Sequence, residues 1–100
     1  MREYILLMHG DAENHGVSQD GDRWAKYLAT LRESGVFDGG SSIGPGQRLK
    51  SGCAARPADT HIVGFIRIRA ASLEEATRFL EGNPTYEAGG TVEIRELPRD

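Results

Sequence analysis

Two segments of this sequence are apolar on both parities, and they restrict the fold more than any other feature. Tyr4-Ile5-Leu6-Leu7-Met8 is apolar at every position. His61-Ile62-Val63-Gly64-Phe65-Ile66-Arg67-Ile68-Arg69 carries apolar residues at both parities over its first half. Successive side chains of a β-strand point to opposite faces, so a strand with one wet face alternates. A run that is apolar on both parities belongs inside a sheet that is covered on both sides. In the second segment Ile62, Gly64, Ile66 and Ile68 share one face, while Val63 and Phe65 lead the other. That other face turns basic at Arg67 and Arg69.

Elsewhere the period lengthens from two to about 3.6. Ser18, Asp20 and Asp22 offer cap oxygens and negative charge where a helix start favours both. Trp24, Tyr27, Leu28 and Leu31 then recur at i, i+3, i+4 and i+7, with Lys26, Arg32 and Glu33 off the stripe. Gly35 suits the left-handed residue that ends such a helix. A second helix opens with the capping box Ser72-Leu73-Glu74-Glu75, buries Leu73, Ala76, Phe79 and Leu80, and stops at Gly82. Between these elements His9-Gly10-Asp11 breaks the first strand, and the polar residues to Gly16 read as loop. Val36-Phe37 starts a short strand that Gly39-Gly40-Ser41-Ser42 loosens. Gly44-Pro45-Gly46 is a turn by composition. Gln47 to Ser51 forms at most a short strand, and Gly52 to Asp59 reads as loop. Asn83-Pro84 is a turn, and the closing strand alternates, with Val92 and Ile94 inward and Glu93 and Arg95 outward.

The order strand, helix, strand, strand, helix, strand predicts an α+β fold of the ferredoxin-like βαββαβ plan. Right-handed crossovers stack both helices on one face of an antiparallel sheet. The opposite face is then left bare, with Ile, Leu, Val and Phe on it. A patch of that kind is best covered by a second copy related by a two-fold axis, which predicts a homodimer.

Composition narrows the function classes. One hundred residues make a single domain over 1–100. The net charge is −3 and the pI about 5.6, without a basic run, which argues against nucleic acid or an anionic membrane as partner. The single cysteine, Cys53, cannot form an internal disulfide, in keeping with a reducing compartment. The first apolar run ends at Met8, too short for a signal peptide or a membrane span, so a cytoplasmic protein is expected.

Several stretches together carry a resemblance. They are His9-Gly10-Asp11 after the opening strand, the helix from Trp24 to Gly35, Val36-Phe37-Asp38-Gly39-Gly40, and Gly64-Phe65-Ile66-Arg67-Ile68. Ser72-Leu73-Glu74-Glu75-Ala76 and Gly89-Gly90-Thr91-Val92-Glu93-Ile94-Arg95 complete the set and are the specific ones. In them the chain resembles the YCII-related family of the dimeric α/β barrel superfamily. The resemblance implies the ferredoxin-like fold and pairing through the open sheet face into a barrel-like dimer. Some members of that family carry a His near the start of the first helix and an Asp before the last strand, proposed as a catalytic pair. At the matching positions this chain has Trp24 and Asn83, and neither side chain is an acid or base at ordinary pH. The Asp-Gly-Pro-Phe element of a large subfamily is also replaced, by Arg56-Pro57-Ala58-Asp59-Thr60.

The remaining chemistry is sparse. His9 and Asp11 sit at a strand end with the spacing of a general base and its orienter, and His61 starts a strand expected beside the first. His9, Asp11 and His15 match no known metal cage, so no metal or other cofactor is expected. Arg67, with Arg69, is placed to hold a carboxylate or to pair with Glu93 or Glu96. Trp24 and Tyr27 are core or ring-binding residues, and Tyr86 lines a pocket or seals the dimer. Cys53 lies in a polar loop near Lys50 and Arg56, with no histidine close by. Gly39 to Gly46 lacks the Gly-Lys-Ser/Thr of a phosphate loop. Two functions are left: a homodimeric small-ligand-binding or regulatory module, and an enzyme of lyase or isomerase type moving a proton through His9, Asp11 and His61.

Overall fold

The structure, a computed structural model, describes residues 1–99. In chain order its elements are β1 (Arg2–His9), α1 (His15–Ser18), α2 (Gly21–Glu33), β2 (Phe37–Ser42), β3 (Gln47–Arg48), β4 (Arg56–Pro57), β5 (Ile62–Ala70), α3 (Leu73–Arg78), α4 (Pro84–Glu87) and β6 (Val92–Leu97). The two runs that are apolar on both parities take the central places of a four-stranded antiparallel sheet ordered β2-β5-β1-β6. That is the ferredoxin-like arrangement, reached as the pattern predicted.

Register decides which face is dry. Tyr4 lies opposite Ile68, Leu6 opposite Ile66 and Ile94, and Met8 opposite Gly64 and Val92. This face meets Tyr27 and Leu31 of α2, Ala76 of α3 and Leu80 just beyond it, in one apolar cluster. Leu6 is 0% exposed, and cutting a side chain so enclosed back to alanine costs about 2–5 kcal/mol. The other face carries Ile5 and Leu7 opposite Arg67 and Phe65, flanked by Glu93 and Arg95. Here Ile5, Leu7 and Phe65 are only half-buried and Val63 is 43% exposed.

Leu73, expected on the buried stripe of its helix, is 54% exposed, and four further local features differ from the sequence pattern. The loop to Gly16 contains α1, capped by Asn14, whose Oδ1 accepts from the Val17 N–H at 3.2 Å. The second long helix ends early, at Arg78, and continues to Gly82 as tight three-residue turns, Leu80 N–H to Thr77 O and Glu81 N–H to Arg78 O. Asn83-Pro84 is not a simple turn: Asn83 caps α4, its Oδ1 accepting from the Tyr86 N–H at 3.1 Å, with Pro84 in the first turn where its missing N–H costs nothing. Part of the stretch read as loop forms β4, which pairs with β3 as an exposed hairpin.

β2 continues through its glycines, Phe37 to Ser42. It pairs with β5 across a bulge between Phe37 and Gly40, and a Cβ at Gly40 would collide with the Phe65 carbonyl. Gly90 is equally constrained, at the approach to β6. Its N–H donates to Thr85 O at 2.9 Å, and an added Cβ would lie 2.8 Å from Thr85 Cγ2 and 3.1 Å from Ala12 Cβ. Gly90→Ala is expected to cost about 1–3 kcal/mol in a urea unfolding curve. Gly21→Ala, where nothing lies within 4 Å, is expected to stay within about 0.5 kcal/mol of the parent.

Candidate functional site

The stripe of α2 is wider than the core beneath it. Tyr27 and Leu31 are buried, whereas Trp24 and Leu28 stay half-buried and lean on the cluster from its margin. Opposite them β2 and β5 supply Gly40, Ser42 and Gly64, which bring almost no side-chain volume. The mismatch leaves a cleft of 660 Å³ between α2 and the β2–β5 side of the sheet, closed at one end by the His9 and His15 region. Its interior is largely apolar, with Met8, Leu28, Phe37 and Ile66 on the walls.

Trp24 is held in one orientation. Its Nε1–H donates to the Ser18 carbonyl at 2.8 Å, and its ring meets Tyr27 edge-on at 6.1 Å. With its polar edge satisfied, the indole offers the cleft an apolar surface. Arg32, two turns further along α2, lays its guanidinium over the Phe37 ring at 5.0 Å.

His9 lines the cleft, but Asp11 is not its partner. The His9 ring lies 3.1 Å by Nε2 from Glu93 Oε1 on the neighbouring strand. A carboxylate only accepts, so His9 carries its proton on Nε2 and, when neutral, keeps the Nδ1 lone pair. Asp11 instead anchors the start of β6: its carboxylate accepts from the Thr91 N–H at 2.8 Å and from the Thr91 hydroxyl at 2.6 Å. Those two bonds, the hydroxyl's first, hold the Asp11 carboxyl below its ordinary 3.8. His61 does come to His9, ring against ring at 5.3 Å, though it is exposed and lies outside the cleft lining.

The other expected residues divide in the same way. Trp24 is in the cleft. Arg67 stands on the open sheet face, 3.7 Å from Glu3, and Arg69 pairs with Asp38 at 3.1 Å. Tyr86 is 52% exposed on α4, away from the cleft. Asn83 is 0% exposed, and its Nδ2 reaches no acceptor at hydrogen-bond geometry among the described residues. It still lies near enough to the Tyr27 hydroxyl to oppose the rise that burial forces on that phenol's pKa. The hydroxyl itself donates to Phe79 O at 2.6 Å. Among the described residues no three His, Cys, Asp or Glu side chains are grouped to hold a metal ion. No described helix is long and apolar enough to cross a membrane.

Sequence reasoning passed over Arg32, Glu93 and the small floor residues. The available signal was the placing of Gly40, Ser42 and Gly64 on the helix-facing parity, opposite a helix carrying Trp24 and Leu28.

No family model matches the chain, and comparison with curated proteins gives no significant match. Among solved structures it is similar to the 5-chloro-2-hydroxyhydroquinone dehydrochlorinase of Burkholderia phenoliruptrix AC1100, in complex with 2,5-dihydroxybenzoquinone. The TM-score is 0.55 and the identity 20%, over 100% of this chain and 96% of that one. Similarity at this level establishes a shared α+β fold, the one that the resemblance to the YCII-related family implies.

The Asp11 contacts carry a pH dependence. Its carboxyl has a lowered pKa in the folded chain, so its contribution to stability is present above the unfolded value and is lost as pH falls through the folded one. Thr91→Val removes the hydroxyl donor. The Asp11 pKa, followed by carboxyl NMR titration, is expected to rise toward 3.8 in the variant. Below about pH 4 the variant's stability should then fall less steeply than the parent's.

Proposed function

We propose that the chain is a YCII-related protein of the dimeric α/β barrel type, which binds a small planar molecule in the cleft between α2 and the β2–β5 side of the sheet. The observation that carries this reading is the cleft itself. Its volume falls within the range of about 300–1,000 Å³ usual for small-molecule sites, and a fixed indole stands on its wall. The ligand in the similar dehydrochlorinase structure, 2,5-dihydroxybenzoquinone, is a single planar ring and supports the same class. Trp24 and Asn83 stand where related chains have an acid–base pair, which favours binding or regulation over proton transfer by that pair. Trp24 is the only tryptophan, so its indole N–H resonance reports occupancy directly. Titration with planar ring probes, 2,5-dihydroxybenzoquinone among them, is expected to shift that resonance saturably. Trp24→Ala should weaken the affinity, measured by calorimetry, about tenfold or more. Affinity unchanged by the substitution would place the ligand elsewhere.

The dimer is proposed on the open face. Ile5, Leu7, Val63 and Phe65 form an apolar centre there, rimmed by Arg67, Glu93 and Arg95, as self-association through a sheet face requires. Light scattering should give twice the 10.9 kDa chain mass. Leu7→Lys, which seats a cation beside Glu93 on that face, should give the monomer mass with an unchanged far-ultraviolet spectrum.

One observation favours a second reading, an enzyme that moves a proton. His9 lines the cleft, has His61 beside it and has Glu93 in the orienting role that Asp11 was expected to fill. Its Nδ1 would then be the base. On this reading the chain accelerates exchange of the ring hydrogens of 2,5-dihydroxybenzoquinone with D2O, and His9→Gln abolishes the acceleration. Exchange at the solvent rate in both proteins would leave the binding role alone.

A further inference from the structure

We propose that the cleft selects an anion, a carboxylate or phenolate borne on an apolar body, and that Arg32 is the side chain that reads its charge. The inference rests on the ligand-binding reading of the cleft and specifies the class of ligand.

The chain has 15 acidic residues and a net charge of −3, yet none of the residues lining the cleft is Asp or Glu. The ionisable side chains that do line it are His9, His15 and Arg32. Low-dielectric walls with charge of one sign concentrate the field inside a cleft, so an anion entering this one is drawn in. The acidic residues of the molecule are thus kept out of the cleft lining, with Glu93 reaching only the far side of His9, and Arg32 is left as its permanent charge.

Arg32 also differs from most other arginines of the chain. Arg2, Arg23, Arg48, Arg67, Arg69, Arg95 and Arg99 each have a carboxylate within 4 Å. Arg32 forms no such pair among the described residues. Its guanidinium instead lies over the Phe37 ring, 5.0 Å from the centroid. A cation–π contact needs none of the guanidinium N–H donors, and those donors match the two oxygens of a carboxylate. A cation in the last turn of α2 is also favourable to the helix dipole. The dipole accounts for a positive charge at this position but not for its lacking an ion pair among the described residues.

The spacing on α2 sets the shape of the ligand. Trp24 and Arg32 are eight residues apart, about 12 Å along the helix axis, with Leu28 between them. An anionic group held at Arg32 leaves the apolar part of the ligand to run past Leu28 toward the indole. A ring joined to a carboxylate by a short chain fits that span better than a compact, highly charged anion.

A matched pair of probes tests this: 4-phenylbutyrate and 4-phenylbutyramide, which share shape and differ in charge. Both are titrated while the Trp24 indole N–H resonance is followed, in the parent chain, in Arg32→Gln and in Arg32→Lys. Arg32 is exposed, so neither substitution disturbs the core. The carboxylate is expected to bind the parent about tenfold or more tightly than the amide. Arg32→Gln should reduce the carboxylate to the affinity of the amide and leave the amide unchanged. Arg32→Lys, which keeps the charge and loses the fork, should fall between. Equal binding of the two probes by the parent, or a preference that survives Arg32→Gln, overturns the charge selection while leaving the cleft a binding site. Failure of every probe, neutral or charged, to shift the Trp24 resonance overturns the ligand-binding reading together with this inference.

Discussion

The registration of β1 between β5 and β6 is the constraint on which the rest of this structure depends. β1 is apolar on both parities and would tolerate either face inward. Its neighbours would not. β5 places Arg67 and Arg69 on one parity, and β6 places Glu93 and Arg95 on the same side of the sheet. Slipping either strand by one residue would carry these charges beneath α2 and α3, where no partner or water could satisfy them. The charged parity of the flanking strands thus directs Tyr4, Leu6 and Met8 to the helices, and the core around Leu31, Ile68 and Ala76 follows. It leaves Ile5 and Leu7 on the other face, as the apolar centre of a surface suited to self-association.

The cleft follows from the same registration. Because Met8 lies opposite Gly64, the end of the sheet near His9 has little side-chain volume beneath α2. Gly40 is fixed there by its close approach to the Phe65 carbonyl, so this side of the floor cannot be filled without breaking the pairing of β2 with β5. α2 meanwhile keeps Trp24 and Leu28 turned toward the gap. The void is therefore sustained by strand pairing on one side and by an indole tied to Ser18 on the other. Walls held independently of any ligand keep the ordering cost of binding low.

Asn83 and Trp24, the two positions that the resemblance singles out, have structural employment here. Asn83 caps α4 from within the interior, and Trp24 buttresses the entry to α2. Neither position is an acid–base group in this chain. His9, the histidine of the cleft lining, is oriented across strands by Glu93. Asp11, two residues beyond that histidine, is spent on Thr91, because the strand ends at His9 and the chain turns away before the carboxylate can follow it.

Local pattern was enough to reveal much of the fold. The two runs of double parity gave the central strands, and alternation gave the face of β6. The capping box gave Ser72 as the start of its helix, while Ser18, Asp20 and Asp22 were equal candidates for the other, of which Asp20 is the cap. It did not reveal α4, because Asn-Pro signals a turn and a helix start equally well, and the choice falls to the Thr85 contact with Gly90. Nor could it assign partners: Arg67 went to Glu3, Asp11 to Thr91 and His9 to Glu93, none of them a neighbour along the chain. Sequence spacing determines which side chains share a face of a strand or helix, since that depends on a fixed local period. Which charges meet, and where volume is missing, is decided when distant strands are brought into register. The cleft, with Arg32 lying over Phe37 at its edge, exists only at that level.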